Sequence, residues 1–157
     1  MVDWVSQYSP PSSKSFILEV GSGNGILLFT LLEAGYYPKS LSGIDYSPDA
    51  VELSKRIGAT RQGGEDVNFS VCDFLSDSPP LLEGMDTQSW NVILDKGTFD
   101  AIALGPKDSQ GQSPAAKYPV RVASLLRPGG FFLITCEFHL YICHRPTFQL
   151  AILRKMN

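Results

Sequence analysis

Four acidic residues, Glu19, Asp45, Asp73 and Asp95, stand at or just after the ends of short apolar runs, and Glu19 lies two positions ahead of Gly21-Ser22-Gly23-Asn24-Gly25. Glycines at alternate positions let a backbone turn sharply and leave no side chain between it and a ligand. A helix opening after such a turn aims its unpaired N–H groups and the positive end of its dipole at the same spot. A nucleotide-like ligand suits that bend. Glu19 adds a carboxylate for an amino group close to the turn. A carboxylate at Asp45 can accept hydrogen bonds from both hydroxyls of a ribose. Asp73 can accept from an adenine exocyclic amine, with Phe74 beside it offering a backbone N–H and an apolar face. Tyr46 could lie against the adenine or simply pack on the rim.

The elements that must position these groups alternate. Phe16–Val20 reads as a first strand, apolar enough to be central in a parallel sheet, and the segment 24–34 as a helix closed by Gly35. Leu41–Asp45 is a second strand; Ser47-Pro48-Asp49 then supplies an N-cap, a first-turn proline and a first-turn acid for a helix to about Ile57. Val67–Val71 and Trp90–Leu94 are the third and fourth strands. A short helix is expected over Thr98–Leu104, a longer one over Ala115–Leu126 with Pro119 in its first turn, and a fifth strand over Phe131–Thr135. A further helical face is available near the start, where Trp4, Val5 and Tyr8 precede Pro10-Pro11. Strands alternating with helices imply right-handed crossovers and an α/β, doubly wound parallel sheet. Ligands of such sheets bind beyond the carboxyl ends of the strands, where the four acids fall.

The chain has 157 residues, the size of one domain, with a net charge of −3 and a 43% hydrophobic share. That balance gives no electrostatic footprint for nucleic acid or an anionic membrane surface, and no run reaches the length of a membrane span. Cys72, Cys136 and Cys143 form no C-x-x-C pair, which points to a reducing compartment; with no signal peptide visible, a cytoplasmic location is expected. His139 and His144 beside Cys143 lack the further ligand groups that a metal centre needs, and no metal is expected.

The bend itself has two readings. Dinucleotide enzymes use G-x-G-x-x-G, but here the third glycine comes one residue early and Ile26 holds its place. Glu19-Val20-Gly21-Ser22-Gly23-Asn24-Gly25 instead resembles motif I of the class I S-adenosylmethionine-dependent methyltransferases. Asp95-Lys96-Gly97-Thr98-Phe99-Asp100-Ala101-Ile102, taken with Leu18–Gly25, Ser42–Pro48 and Asp73-Phe74, is more specific. Together they resemble the lysine methyltransferases that modify translation elongation factor 1-alpha.

The resemblance implies a Rossmann-like fold with strand order 3-2-1-4-5 and S-adenosyl-L-methionine as cofactor. It also implies methyl transfer to a lysine ε-amine of a protein substrate, translation elongation factor 1-alpha. Glu19, Gly21 and Gly23 would face the methionyl end of the cofactor, Asp45 its ribose, and Asp73 and Phe74 the adenine; Tyr46, next to Asp45, is kept as a cofactor-binding candidate on its own chemistry. Asp95 would lie beside the sulfonium at the mouth where lysine enters; that it is the catalytic group, orienting the amine or drawing off its proton, is inferred from the chemistry of the reaction rather than from the resemblance. Lys96 reads as a solvated rim lysine. A small-molecule class I methyltransferase and an inactive cofactor-binding scaffold are the competing readings.

Residues 1–136 are thus expected to form the methyltransferase domain, incomplete at both ends relative to the family, and 137–157 an atypical tail. The final antiparallel hairpin of the family has no counterpart in that tail, which would leave the fifth strand an exposed apolar edge.

Overall fold

The computed structural model describes residues 1–12, 14–85, 90–135 and 149–152. Its centre is β1 (Ile17–Val20), buried at all four positions and paired in parallel with β2 (Leu41–Asp45) and β4 (Trp90–Lys96). β3 (Asn68–Val71) extends the sheet beyond β2, and β5 (Leu126–Thr135) beyond β4, giving the expected order 3-2-1-4-5. One strand more follows. β6 (Gln149–Ile152) pairs in parallel with β5, Phe131 opposite Gln149 and Ile134 opposite Ile152. The expected bare edge at β5 is therefore covered, because the tail supplies a backbone partner for it. Residues 137–148 and 153–157, with His139, Cys143 and His144, lie outside the described residues, as does Cys136.

Alternation of side chains along the strands builds two apolar layers. Ile17, Leu41, Val92, Leu94 and Leu133 meet α1 (Val2–Tyr8), α2 (Ile26–Glu33) and α3 (Pro48–Gly58) through Val5, Leu28, Phe29 and Val51. Leu18, Val20, Ile44, Ile93, Phe132 and Ile134 meet α4 (Thr98–Ala103) and α5 (Tyr118–Leu125) through Phe99, Tyr118, Val122 and Leu125.

The larger boundary differences from the sequence expectation have local reasons. α2 begins at Ile26 rather than residue 24, because Gly25 sits in the left-handed region at φ 74° and cannot be part of the helix. The expected helix over 115–126 divides into a tight turn, Pro114–Lys117, and α5, with Pro119 in the first turn of α5. β5 starts at Leu126, since the Arg127–Gly130 stretch is taken up as an irregularity in its pairing with β4. Ser47 caps α3 as expected, its side chain accepting from the Ala50 N–H at 3.3 Å.

Candidate active site

The glycine bend is pinned to the strands on either side of it. The N–H groups of Gly21 and Ser22 both donate to the Ile44 carbonyl, at 2.8 and 3.0 Å, so the loop leaves β1 across the end of β2. Gly21, Gly23 and Gly25 all have positive φ, which only glycine adopts without strain. Two of the three are also needed for packing. A Cβ on Gly21 would stand 1.9 Å from the Thr98 hydroxyl oxygen, and one on Gly25 would stand 2.7 Å from the Phe69 ring. Around Gly23 a Cβ would meet nothing within 4 Å. This is the open side of the bend. Gly21→Ala is accordingly expected to lower stability by about 2–4 kcal/mol, from a forced positive φ plus displacement of Thr98; urea unfolding checks it.

Glu19 and Asp45 flank the bend, Glu19 on β1 two residues before Gly21 and Asp45 at the end of β2 with its carboxylate on the Gly23 N–H. Glu19 is 3% exposed, and among the described residues its Oε2 has no hydrogen-bond partner. Burial is the main cause of its pKa rising to about 8. Asp95 and Asp45 push it the same way, while Lys96 and the Leu28 backbone N–H oppose the rise. A buried carboxylate in that condition lacks a cation or a donor. Asp45 is tied on both oxygens: Oδ2 accepts from the Gly23 N–H and Oδ1 from the Ser47 N–H, each at 2.9 Å. It thereby joins the glycine bend to the start of α3, with acceptor capacity left over. Tyr46 follows it with 80% of its surface exposed, an aromatic face held out at the rim.

Asp73 is exposed on the turn after β3, where its Oδ1 accepts from the Leu75 N–H at 3.0 Å. Phe74 is placed otherwise. Its ring is buried in the core at 4.7 Å from the Tyr118 ring centroid, so its apolar face is used within the protein.

Asp95 lies under the rim rather than on it. Its residue is 0% exposed. Oδ1 accepts from the Thr98 N–H at 2.8 Å, and Oδ2 from the Phe99 N–H at 2.9 Å and from the Tyr118 hydroxyl. Burial raises its pKa to about 6 although three donors stabilise the charge. Strand parity explains the placement. Register puts Leu94 beside Glu19 and Asp95 beside Val20, so Glu19 and Asp95 point to opposite faces of the sheet. On β4, the exposed Lys96 shares parity with Leu94 and thus with Glu19. Three contributors escaped the sequence reading: the Tyr118 hydroxyl, the Thr98 hydroxyl that donates to the Val20 carbonyl at 2.9 Å, and Arg121, which donates to the carbonyls of Phe74 and Asp77.

A family model described as "Methyltransferase domain" matches residues 11–143. The chain belongs to the methyltransferase domain family. This methyltransferase domain is 37% identical over 144 residues to EEF1A lysine methyltransferase 2 of Danio rerio, covering 89% of this chain and 57% of that protein. It is 42% identical over 123 residues to protein-lysine N-methyltransferase efm4 of Schizosaccharomyces pombe, covering 76% and 50%. The chain therefore spans about half the length of these curated relatives. Among solved structures, the CcbJ methyltransferase from Streptomyces caelestis superposes with a TM-score of 0.64 at 19% identity, covering 85% of this chain and 46% of that one. The glycopeptide N-methyltransferase MtfA complexed with S-adenosyl-L-methionine gives a TM-score of 0.62 at 16% identity, covering 84% and 50%. At such identities the likeness is one of fold: the methyltransferase domain is a Rossmann-like sheet.

Proposed function

We propose that this chain is the S-adenosyl-L-methionine-binding part of a protein-lysine N-methyltransferase acting on translation elongation factor 1-alpha. The observation that carries the cofactor assignment is the buried Glu19 carboxylate, which has an oxygen lacking a hydrogen-bond partner among the described residues, beneath a glycine bend with room at Gly23. An ammonium-bearing nucleotide matches that carboxylate in charge and in hydrogen bonding. Glu19 would hold the methionyl amine, Gly21 and Gly23 would let it approach the backbone, and Asp45 would hold the ribose. Tyr46 and the Asp73-Phe74 turn would frame the adenine.

S-adenosylmethionine, when bound, supplies an already activated methyl group, so the protein's part is grip and alignment. Lysine must present a neutral amine, and a water-poor mouth favours that form. Asp95 contributes in this reading by fixing the Gly97–Phe99 backbone that forms the lysine side of the mouth, since its own carboxylate is enclosed. The substrate assignment is supported by Asp95–Ile102 and by relatives named for lysine methylation of EEF1A. The same reading gives the protein a cytoplasmic setting and a protein partner, with no role for nucleic acid or membrane.

The test pairs calorimetry with label transfer. S-adenosylmethionine is expected to bind and NAD to leave no signal; labelled cofactor is expected to mark one lysine-containing peptide of elongation factor 1-alpha. Binding of NAD alone would overturn the cofactor assignment. Transfer to small molecules but to no protein would overturn the substrate.

A further inference from the structure

The strongest feature outside the glycine bend is one face of α5. Tyr118 and Arg121 stand three residues apart, one helical turn, and each reaches a different loop. The Tyr118 hydroxyl donates to Asp95, whose carboxylate also holds the Thr98 and Phe99 N–H groups at the start of α4. Thr98 is in turn fastened to the glycine bend: its hydroxyl donates to the Val20 carbonyl, and it fills the space where a Gly21 side chain would be. Arg121 donates through Nε to the Phe74 carbonyl at 3.1 Å and through Nη2 to the Asp77 carbonyl. Those carbonyls belong to a turn closed on itself, in which the Ser76 and Asp77 N–H groups donate to the Asp73 carbonyl and the Asp73 N–H donates to the Asp77 carboxylate. Its closed form means Arg121 moves or holds the turn as a unit.

We propose that Tyr118 and Arg121 are positioning residues through which α5 sets both rims of the site. Tyr118 fixes the lysine-side rim by way of Asp95, and Arg121 fixes the adenine-side turn at Asp73–Asp77. The assignment of the two rims rests on the function proposed above; the mechanical link does not. Tyr118 is buried, with its ring 5.3 Å from that of Phe99 and 4.7 Å from that of Phe74, so phenylalanine would preserve its packing and delete only the hydroxyl. A planar guanidinium reaches two carbonyls at once, which an ammonium on a single stem does not match.

The experiment measures amide exchange of the full chain by NMR, with no ligand added, in Tyr118→Phe and Arg121→Gln. Tyr118→Phe is expected to speed exchange at Thr98 and Phe99 by about tenfold and leave Ser76 and Asp77 unchanged, as local opening follows loss of a local bond. Arg121→Gln is expected to give the reverse pattern, and Arg121→Lys an intermediate one. Tyr118→Phe is also expected to raise the midpoint of the Asp95 carboxyl titration, because a donor to the charged form is gone. General packing loss would not produce that shift. Uniform acceleration in both variants, or an unmoved Asp95 titration, overturns the proposal. Where S-adenosylmethionine binds, Arg121→Gln is expected to weaken it about tenfold and Tyr118→Phe to lower turnover at nearly constant cofactor affinity. If wild-type protein neither binds nor transfers, the function fails while the exchange pattern still decides the role of α5.

Discussion

Glu19→Gln is expected to weaken S-adenosylmethionine binding by about 10- to 100-fold, the range for losing a buried charge-assisted hydrogen bond. The same change is expected to make the ligand-free protein more stable at alkaline pH. Both follow from one placement. Glu19 is buried with an oxygen that finds no partner among the described residues, and its pKa stands at about 8 rather than 4.5. For an acid whose folded-state pKa is raised, the associated stability is fully present below the unfolded value and is lost as pH rises through the folded one. The ligand-free protein therefore loses stability between about pH 4.5 and pH 8 through this group, and glutamine, always neutral, removes that loss. Binding of a cationic amine requires the ionised form. Cofactor affinity should rise with pH up to about 8, and binding at pH 7 should release about one proton from Glu19. Calorimetry in buffers of different ionisation enthalpy reads that proton directly. Affinity independent of pH between 6 and 9 (a range of roughly three decades in proton activity), with no proton released, would remove Glu19 from the cofactor's amine.

The succession of strands and helices along the chain, the glycine bend and the capping of α3 were legible because each rests on local sequence, whereas the spatial order 3-2-1-4-5 came with the family resemblance. Apolar runs, alternate glycines and Ser47-Pro48-Asp49 fix φ, burial or hydrogen bonding within a few residues. Glu19 and Asp45 were legible for a related reason: they close or flank the same bend, and parallel pairing puts the ends of β1 and β2 side by side. What the sequence concealed is long-range. Tyr118 lies 23 positions from Asp95 and Arg121 lies 44 from Asp77, and no periodicity links them. Nor does the motif around Asp95 reveal which face of the sheet its side chain takes. That depends on register against β1, and shifting it by one residue would have turned Asp95 toward Glu19. Phe74 shows the same limit, as an aromatic after a strand end serves a ligand or the core equally well until Tyr118 is in place. The parallel strand β6 had no turn signal to announce it.

Asp95→Ala is expected to lower stability by about 3 kcal/mol, because it leaves two backbone N–H groups and the Tyr118 hydroxyl without an acceptor in a buried site. Asp95→Asn separates charge from hydrogen bonding. Its single amide oxygen can replace one carboxylate oxygen, while its NH2 group would face a donor where the other oxygen had accepted. The Tyr118 hydroxyl can rotate to accept; the Phe99 and Thr98 N–H groups cannot. A smaller loss, about 1–2 kcal/mol, is therefore expected for Asn, measured by urea unfolding at pH 7.5, above the Asp95 value of about 6. Methyl transfer should fall by about 100-fold or more in the alanine variant, since a rim displaced by about 1 Å misaligns the reacting groups. S-adenosylmethionine affinity should stay within about tenfold, because the Asp45 contacts to the Gly23 and Ser47 N–H groups involve no residue of α4. The decisive comparison is Asp95→Asn against Tyr118→Phe. If Asp95 works by positioning, both variants lose turnover in proportion to the exposure of the Thr98 and Phe99 amides. A catalytic proton acceptor would instead make Asp95→Asn inactive with those amides still protected, and would spare Tyr118→Phe.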